Sequence, residues 1–181
     1  MRSTFVIAGK TLVVIAVWLA IGWLAGYLRP LDASLGTELP AWAQIPGVLA
    51  LGVGAAGVLG CGVMLSTVGI GTLSGKERLL PVDFLAIGPF RFVRNPMSLA
   101  GVILMAGIAL WHRSALGLGL VAILFVIFHL VIVYVEEPGL ENRFGESYRA
   151  YKRHVPRWIP RRRPWSGRSA EPDSVLPGGH R

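Results

Sequence analysis

Residues 115–135 read ALGLGLVAILFVIFHLVIVYV and carry a single ionisable side chain, that of His129. A helix needs about 20 mainly apolar residues to cross the roughly 30 Å hydrocarbon core of a bilayer. Three more apolar stretches lie at 11–28, 42–68 and 97–111, the last of them short for a complete crossing. The sequence therefore predicts an all-α fold, a polytopic membrane helix bundle with about four spans.

The composition supports a membrane protein. Only 15% of the residues are charged and 53% are hydrophobic, whereas a soluble domain carries about 25% charged residues. These values exclude an ordinary cytosolic enzyme and a long disordered chain. The single Cys61 excludes an intramolecular disulfide and a multi-cysteine metal site, and the four histidines show no ligand spacing. No metal site is predicted.

The distribution of positive charge predicts the orientation. Of the 18 Lys and Arg residues, only Arg29 and Arg113 lie on one side of the four spans. Because cytoplasmic loops carry an excess of Lys and Arg, both termini and the loop 71–96 are expected in the cytoplasm. The protein is expected to be a multi-pass protein of the inner (cell) membrane. The net charge of +8 is concentrated near the C-terminus, which favours anionic lipid headgroups over nucleic acid as the partner.

Three regions follow from this pattern. Residues 1–70 are expected to form a two-span hairpin, and residues 71–160 a core with an interfacial loop and two spans. In that core the short connection around Arg113 predicts a C-terminal helical hairpin. Residues 161–181 lack periodicity and are predicted to be a basic, disordered tail.

The interfacial loop is interrupted by helix-breaking residues. Residues 81–98 read PVDFLAIGPFRFVRNPMS, with proline or glycine in every possible turn. Arg94, Asn95 and Pro96 directly precede the third span, so they offer cationic and amide donors at the membrane surface.

Glu136 and Glu137 follow the fourth span. Carboxylates at the C-terminal end of a helix oppose its dipole, and a cationic ligand or an arginine could offset this. Pro138 suits the first turn of a new helix. The spacing of the apolar residues after it predicts a cytoplasmic amphipathic helix with one apolar face, made of Leu140, Phe144, Tyr148, Tyr151 and Val155.

Two features inside the spans have alternative interpretations. Residues 52–57 read GVGAAG, like a dinucleotide-binding turn, but they lie within an apolar span, which favours close helix packing. His129 is either a neutral imidazole hydrogen-bonded to a neighbouring helix or part of a polar cavity near the site.

The ordered motifs in residues 75–160 resemble the isoprenylcysteine carboxyl methyltransferase family and are similar to the related phospholipid N-methyltransferases. The motifs are Gly88-Pro89-Phe90-x-x-x-Arg94-Asn95-Pro96 and Glu136-Glu137-x-x-Leu140-x-x-x-Phe144-Gly145-x-x-Tyr148-x-x-Tyr151. The resemblance implies an integral membrane enzyme that transfers a methyl group from S-adenosylmethionine to a lipophilic acceptor at the cytoplasmic face.

The resemblance also implies the site residues. Glu136 and Glu137 would line the junction between cofactor and acceptor as the catalytic pair. The implied cofactor-binding residues are Val82, Asp83, Phe84, Leu85, Phe90, Arg94, Asn95, Pro96, Met97 and Ser98. On physical grounds the two carboxylates suit a sulfonium cation, and the alternative for them is pairing with Arg94 or Arg91.

Three positions depart from the family pattern. Asn95 stands where His is frequent, Ser98 where Tyr is frequent, and Ile132 where carboxyl methyltransferases can carry Arg. The acceptor therefore stays open between an isoprenylcysteine-like carboxylate and a lipid headgroup. Two other functions are compatible with the sequence: a non-catalytic membrane scaffold of the same fold, and a sterol-reductase-like enzyme that uses NADPH.

Overall fold

The computed structural model describes residues 20, 22–24, 26–69 and 87–166. In this part of the chain every regular element is helical and no strand occurs, as the all-α prediction requires. The predicted first span at 11–28 lies largely outside the described residues, as does most of the 71–86 loop.

From Arg29 onward, the described residues form six α-helices. They are α1 (Arg29–Leu35), α2 (Gln44–Gly69), α3 (Pro96–Trp111), α4 (Ala115–Val131), α5 (Glu137–Phe144) and α6 (Glu146–His154). Short 3₁₀ turns lie at Ala41–Ala43 and Gly88–Arg91, and a π-helical turn at Ile132–Glu136 joins α4 to α5. Pro96 opens α3, where its fixed φ and missing N–H are tolerated.

Within the described ranges, two continuous helical segments are long and apolar enough to cross a membrane. They are Ala41–Met64, with a mean hydropathy of 2.0, and Ala115–Asn142, with a mean hydropathy of 2.9. Only 17% of the most apolar window of each is buried inside the protein, whereas the core helix of a soluble protein would be mostly buried. The helix Pro96–Trp111 is apolar but shorter. The count of four spans thus stays a prediction.

Helices α2 and α3 pack closely through glycine. A Cβ added to Gly54 would lie 2.5 Å from the backbone nitrogen of Leu104, and one added to Gly57 would lie 2.7 Å from the Cβ of Ala100. Gly107 of α3 is equally close to the backbone of α2, since a Cβ added there would lie 2.6 Å from the Leu51 nitrogen. The glycine motif at 52–57 therefore packs helices together, as the sequence interpretation proposed.

A buried carboxylate on α1 caps the N-terminus of α4. Asp32 is fully buried and accepts hydrogen bonds from the Ser114 hydroxyl, the Leu116 N–H (3.0 Å) and the Thr37 hydroxyl (2.9 Å). Ser114 in turn accepts the Gly117 N–H at 2.8 Å, as an N-cap residue does. Asp32 thus satisfies amide donors that the helix itself leaves free and places negative charge at the positive end of its dipole.

We expect Asp32→Asn to lower the stability of the protein by about 1–3 kcal/mol near neutral pH, because an amide replaces one of the two acceptor oxygens by an NH2 group and leaves a buried donor without its acceptor. Burial alone would raise the pKa of Asp32, but the hydrogen bonds from Ser114, the Leu116 amide, Thr37 and the Ala115 amide outweigh it and hold the pKa below its usual value. A carboxyl group with a lowered pKa stabilises the folded state above its unfolded pKa, which is about 3.9, and this contribution is lost as the pH falls through the lower folded value.

Thermal unfolding of both proteins in detergent, followed from pH 7 to pH 3, checks this expectation. The difference in unfolding temperature between wild type and Asp32→Asn should be constant down to about pH 4 and become smaller below it. A gap that widens on acidification would contradict the assignment of the charged form.

The segment after Pro138 forms two short helices where the apolar spacing predicts one. Helix α5 ends at Phe144, and Gly145 takes a φ of +59° before α6 begins at Glu146. Glycine adopts a positive φ readily, whereas other residues do so at a cost. The expectation of one continuous amphipathic helix is therefore wrong, although Pro138 does lie in the first turn of a new helix.

Candidate functional site

A 3₁₀ turn shapes the loop that precedes α3. Gly88 has a φ of +52° and opens the turn Gly88–Arg91 together with Pro89. Two hydrogen bonds join the loop to residues near the end of the described chain. Arg94 N–H donates to Pro156 O at 2.9 Å, and Tyr151 OH donates to Phe90 O at 2.8 Å. The loop is therefore folded against the end of the chain and not only against the membrane helices.

Residues 155–166, which we call the C-terminal strap, run alongside this loop. Arg161 N–H donates to Phe92 O, and Trp165 N–H donates to Arg91 O, both at 3.0 Å. The Nε of the Arg91 side chain donates a hydrogen bond to Trp165 O at 2.9 Å. Residues 161–166 are thus ordered, unlike the disordered tail predicted from Arg161, and the later residues lie outside the described part of the chain.

A mainly aromatic cluster, which we call the aromatic cluster, joins α5 and α6 to the strap. Its buried members are Tyr148, Tyr151, Val155 and Trp165, with Leu140 and Phe144 packed against them. The residues of the predicted apolar face thus pack into one cluster, and Trp165 of the strap completes this cluster. Burial raises the pKa of the Tyr148 and Tyr151 phenols, so both stay protonated near neutral pH.

Glu137 connects the loop, the end of the long apolar helix and the strap. Its carboxylate accepts a bond from Arg94 Nη1 at 2.8 Å, and from Arg157 Nε at 2.6 Å and Nη2 at 3.1 Å. The Glu137 side chain is only 7% exposed and that of Arg94 only 9%. The hydrogen bonds to Glu137 also raise the pKa of Arg157. We call these three residues the ion triad. Pairing of Glu137 with Arg94, the alternative to a ligand role, is present, whereas Arg91 bonds to the strap.

Glu136 differs sharply from its neighbour. It is exposed, and its side chain makes no hydrogen bond or ion pair with the described residues. Neighbouring residues of a helix point about 100° apart, so one of the two can be buried while the other is exposed. A π-helical turn lies at Ile132–Glu136, where the Glu137 N–H bonds to Ile132 O, five residues back. Ile132, where the resemblance would allow Arg, is buried.

Three buried donors near the loop have no partner within the described residues. They are Arg94 Nε, Asn95 Nδ2 and Arg161 Nη1. Asn95 precedes α3 without capping it, so its amide is free for another acceptor. Buried donors are normally hydrogen-bonded, and this arrangement suits a bound polar ligand at the loop.

A model of the phospholipid methyltransferase family matches residues 53–147, from the middle of α2 to the start of α6. The chain belongs to this family. The resemblance seen in the sequence motifs is thereby confirmed. Members are membrane methyltransferases, in agreement with the two apolar helices. Comparisons with curated proteins and with solved structures gave no match.

The residues implied by the methyltransferase resemblance are only partly brought together. Arg94 contacts Glu137 directly, Phe90 accepts the Tyr151 hydroxyl, and Asn95 ends the loop. Pro96 is buried and Met97 and Ser98 are half-buried in the first turn of α3. Val82, Asp83, Phe84 and Leu85 lie outside the described residues. Which of these residues bind a ligand stays a prediction.

Two residues at the site were missed by sequence reasoning. Arg157 holds Glu137, and Trp158 donates from Nε1 to Nδ1 of His129 at 3.0 Å. His129 is thus hydrogen-bonded, as one of the two alternatives expects, but its partner lies in the strap and not in a neighbouring helix. Arg157 is one of ten Lys and Arg residues after Pro138, and nothing in its spacing distinguishes it from the others.

Proposed function

We propose that this protein transfers a methyl group from S-adenosylmethionine to a lipophilic acceptor at the cytoplasmic face of the membrane. The acceptor is an isoprenylcysteine-like carboxylate or a lipid headgroup. One observation carries the proposal: the contact between Arg94 and Glu137 joins the two family motifs, 43 residues apart in the chain, in one site.

The polar groups present suit the cofactor. Bound S-adenosylmethionine would supply an electrophilic methyl group, so that attack by the acceptor forms the new bond as the carbon–sulfur bond breaks and its electron pair goes to sulfur. The Asn95 amide, a buried donor without a partner in the described residues, would hold a polar group of the cofactor beside Phe90, Pro96, Met97 and Ser98. The folded loop would orient the reactants and exclude water.

The two glutamates would have different roles. The charge of Glu137 is already shared by two arginines, so it holds the site together. Glu136 has no paired cation among the described residues, so its carboxylate is the group that would face the positively charged sulfur. The pair therefore divides into one ligand-facing residue and one positioning residue.

Titration calorimetry of the full chain in detergent tests this division. Because only S-adenosylmethionine carries the sulfonium charge, Glu136→Gln should weaken its binding about tenfold and that of S-adenosylhomocysteine less than about threefold. The matched control Glu146→Gln lies on the exposed side of α6, where Glu146 pairs with Arg153, and should change neither affinity. Folded wild-type protein that binds neither compound would refute the proposed activity. An equal loss for both compounds would refute the role of Glu136.

A further inference from the structure

A cleft of about 480 Å³ lies beside the ion triad. It is formed where the long apolar helix ends and where α5, α6 and the strap meet. Its charged lining consists of Arg94, Arg149, Lys152 and Arg157 together with Glu137 and Glu141. We call it the basic cleft.

Each carboxylate of the basic cleft is shared by two cations. Glu137 contacts Arg94 and Arg157, at 2.8 and 2.6 Å. Glu141 contacts Arg149 Nε and Lys152 Nζ, both at 2.8 Å. The lining holds four cations and two carboxylates. Arg149 also contacts Glu146, outside the lining, at 3.3 Å, so a net positive charge remains in the cleft but is smaller than the lining alone gives. This surplus favours an anion as the ligand.

The donors of the cleft are also incompletely used. Arg94 gives Nη1 to Glu137, but its buried Nε has no partner within the described residues. Lys152 has three donor hydrogens, of which its bond to Glu141 uses one. A buried cationic donor without an acceptor is unfavourable. An anion with several oxygens, such as a phosphate, would satisfy these donors together.

The position of the cleft indicates where such an anion would come from. At a rise of 1.5 Å per residue, the apolar run 115–135 spans about 30 Å, the thickness of the hydrocarbon core. The cleft begins at Val133 and Pro138, so it lies at the depth of the headgroups. Tyr134 and Val135, which follow the lining residue Val133 in the chain, are 73% and 65% exposed. Lipid chains can therefore pack beside the cleft while a headgroup enters it.

We propose that the basic cleft binds the phosphate of an anionic membrane phospholipid. Two cations of α6, Arg149 and Lys152, meet the phosphate from the solvent side, and Arg94 and Arg157 meet it from the protein side. The apolar lining at Val133 and Pro138, at the depth of the headgroups, favours a lipid over free phosphate. The proposal requires a membrane protein but no methyl transfer, so it stands or falls separately from the proposed activity.

The test uses the full chain in neutral detergent and titrates it calorimetrically with dihexanoyl phosphatidylglycerol, dihexanoyl phosphatidylcholine and inorganic phosphate. Wild type should bind phosphatidylglycerol at least tenfold more tightly than the other two. The double variant Arg149→Gln/Lys152→Gln should lose about tenfold to thirtyfold in affinity for phosphatidylglycerol. The single variant Lys152→Gln keeps the Arg149–Glu141 pair and should lose an intermediate amount.

The matched control is Arg153→Gln, because Arg153 lies on the same helix and pairs with Glu146 but does not line the cleft. It should bind phosphatidylglycerol within twofold of wild type. Equal losses in the control and the cleft variants would overturn the proposal, as would equal binding of inorganic phosphate. Displacement of the lipid by S-adenosylhomocysteine would also overturn it, by assigning the cleft to the cofactor.

Discussion

Glu137→Ala is expected to lower the free energy of unfolding by about 3–5 kcal/mol, the effect of removing one partner from a buried ion pair. The Glu137 side chain is 7% exposed, and its partners Arg94 and Arg157 are 9% and 25% exposed. Without the carboxylate, two guanidinium groups face each other in a site that water reaches poorly. The loop, the end of the long helix and the strap would lose their common contact.

Thermal unfolding in detergent measures the loss, and a double-mutant cycle separates its causes. Arg157→Ala removes one of the two repelling cations, so the variant Glu137→Ala/Arg157→Ala should be more stable than the sum of the single losses predicts. Glu146→Ala serves as the control, because Glu146 is exposed and also pairs with two arginines, and it should leave the unfolding temperature unchanged. An equal effect at Glu137 and Glu146 would show that the ion triad does not hold the site.

Gly54→Ala is the second change with a large expected effect, a loss of about 3 kcal/mol of stability. The added Cβ would lie 2.5 Å from the backbone nitrogen of Leu104 and 2.6 Å from its Cα. Backbone atoms of a helix cannot move aside as the end of a flexible side chain can. Helices α2 and α3 would therefore have to separate along their contact.

Gly52→Ala is the matched control on the same helix, two residues earlier. A Cβ at Gly52 meets no atom within 4 Å among the described residues, and alanine is the better helix former by about 1 kcal/mol. This variant should be as stable as wild type or slightly more stable when unfolded by heat in the same detergent. If Gly54→Ala matched it, α2 and α3 would not be packed as closely as described.

The helices could be predicted from the sequence because each has a strong local signal. The apolar runs at 42–68, 97–111 and 115–135 correspond to α2, α3 and α4, whose ends agree within a few residues except at the C-terminus of α4. There the π-helical turn begins at Ile132. Pro138 has no N–H to continue the regular bonding pattern, and this was the available signal for the irregularity.

The candidate site was harder to predict because its contacts join distant parts of the chain. Motif resemblance points to the loop and the glutamates. Arg157, however, meets Glu137 only because the chain passes through α6 and then returns along the strap. The strap has no helical or strand period, since its backbone bonds go to the loop at 91–94. A segment that is held by another irregular segment has no sequence period of its own, so the sequence predicts disorder at 161–166 where the structure is ordered.

The strap also bears on where the protein can be cut for expression. A fragment ending with the family match at residue 147 would divide α6 and discard Arg157, Trp158 and Trp165. It would cut the second motif before Tyr148, leave Glu137 with one arginine and His129 without its donor, and remove every buried member of the aromatic cluster. Family boundaries are therefore a poor guide for truncation here, and a shortened protein should extend at least through Ser166.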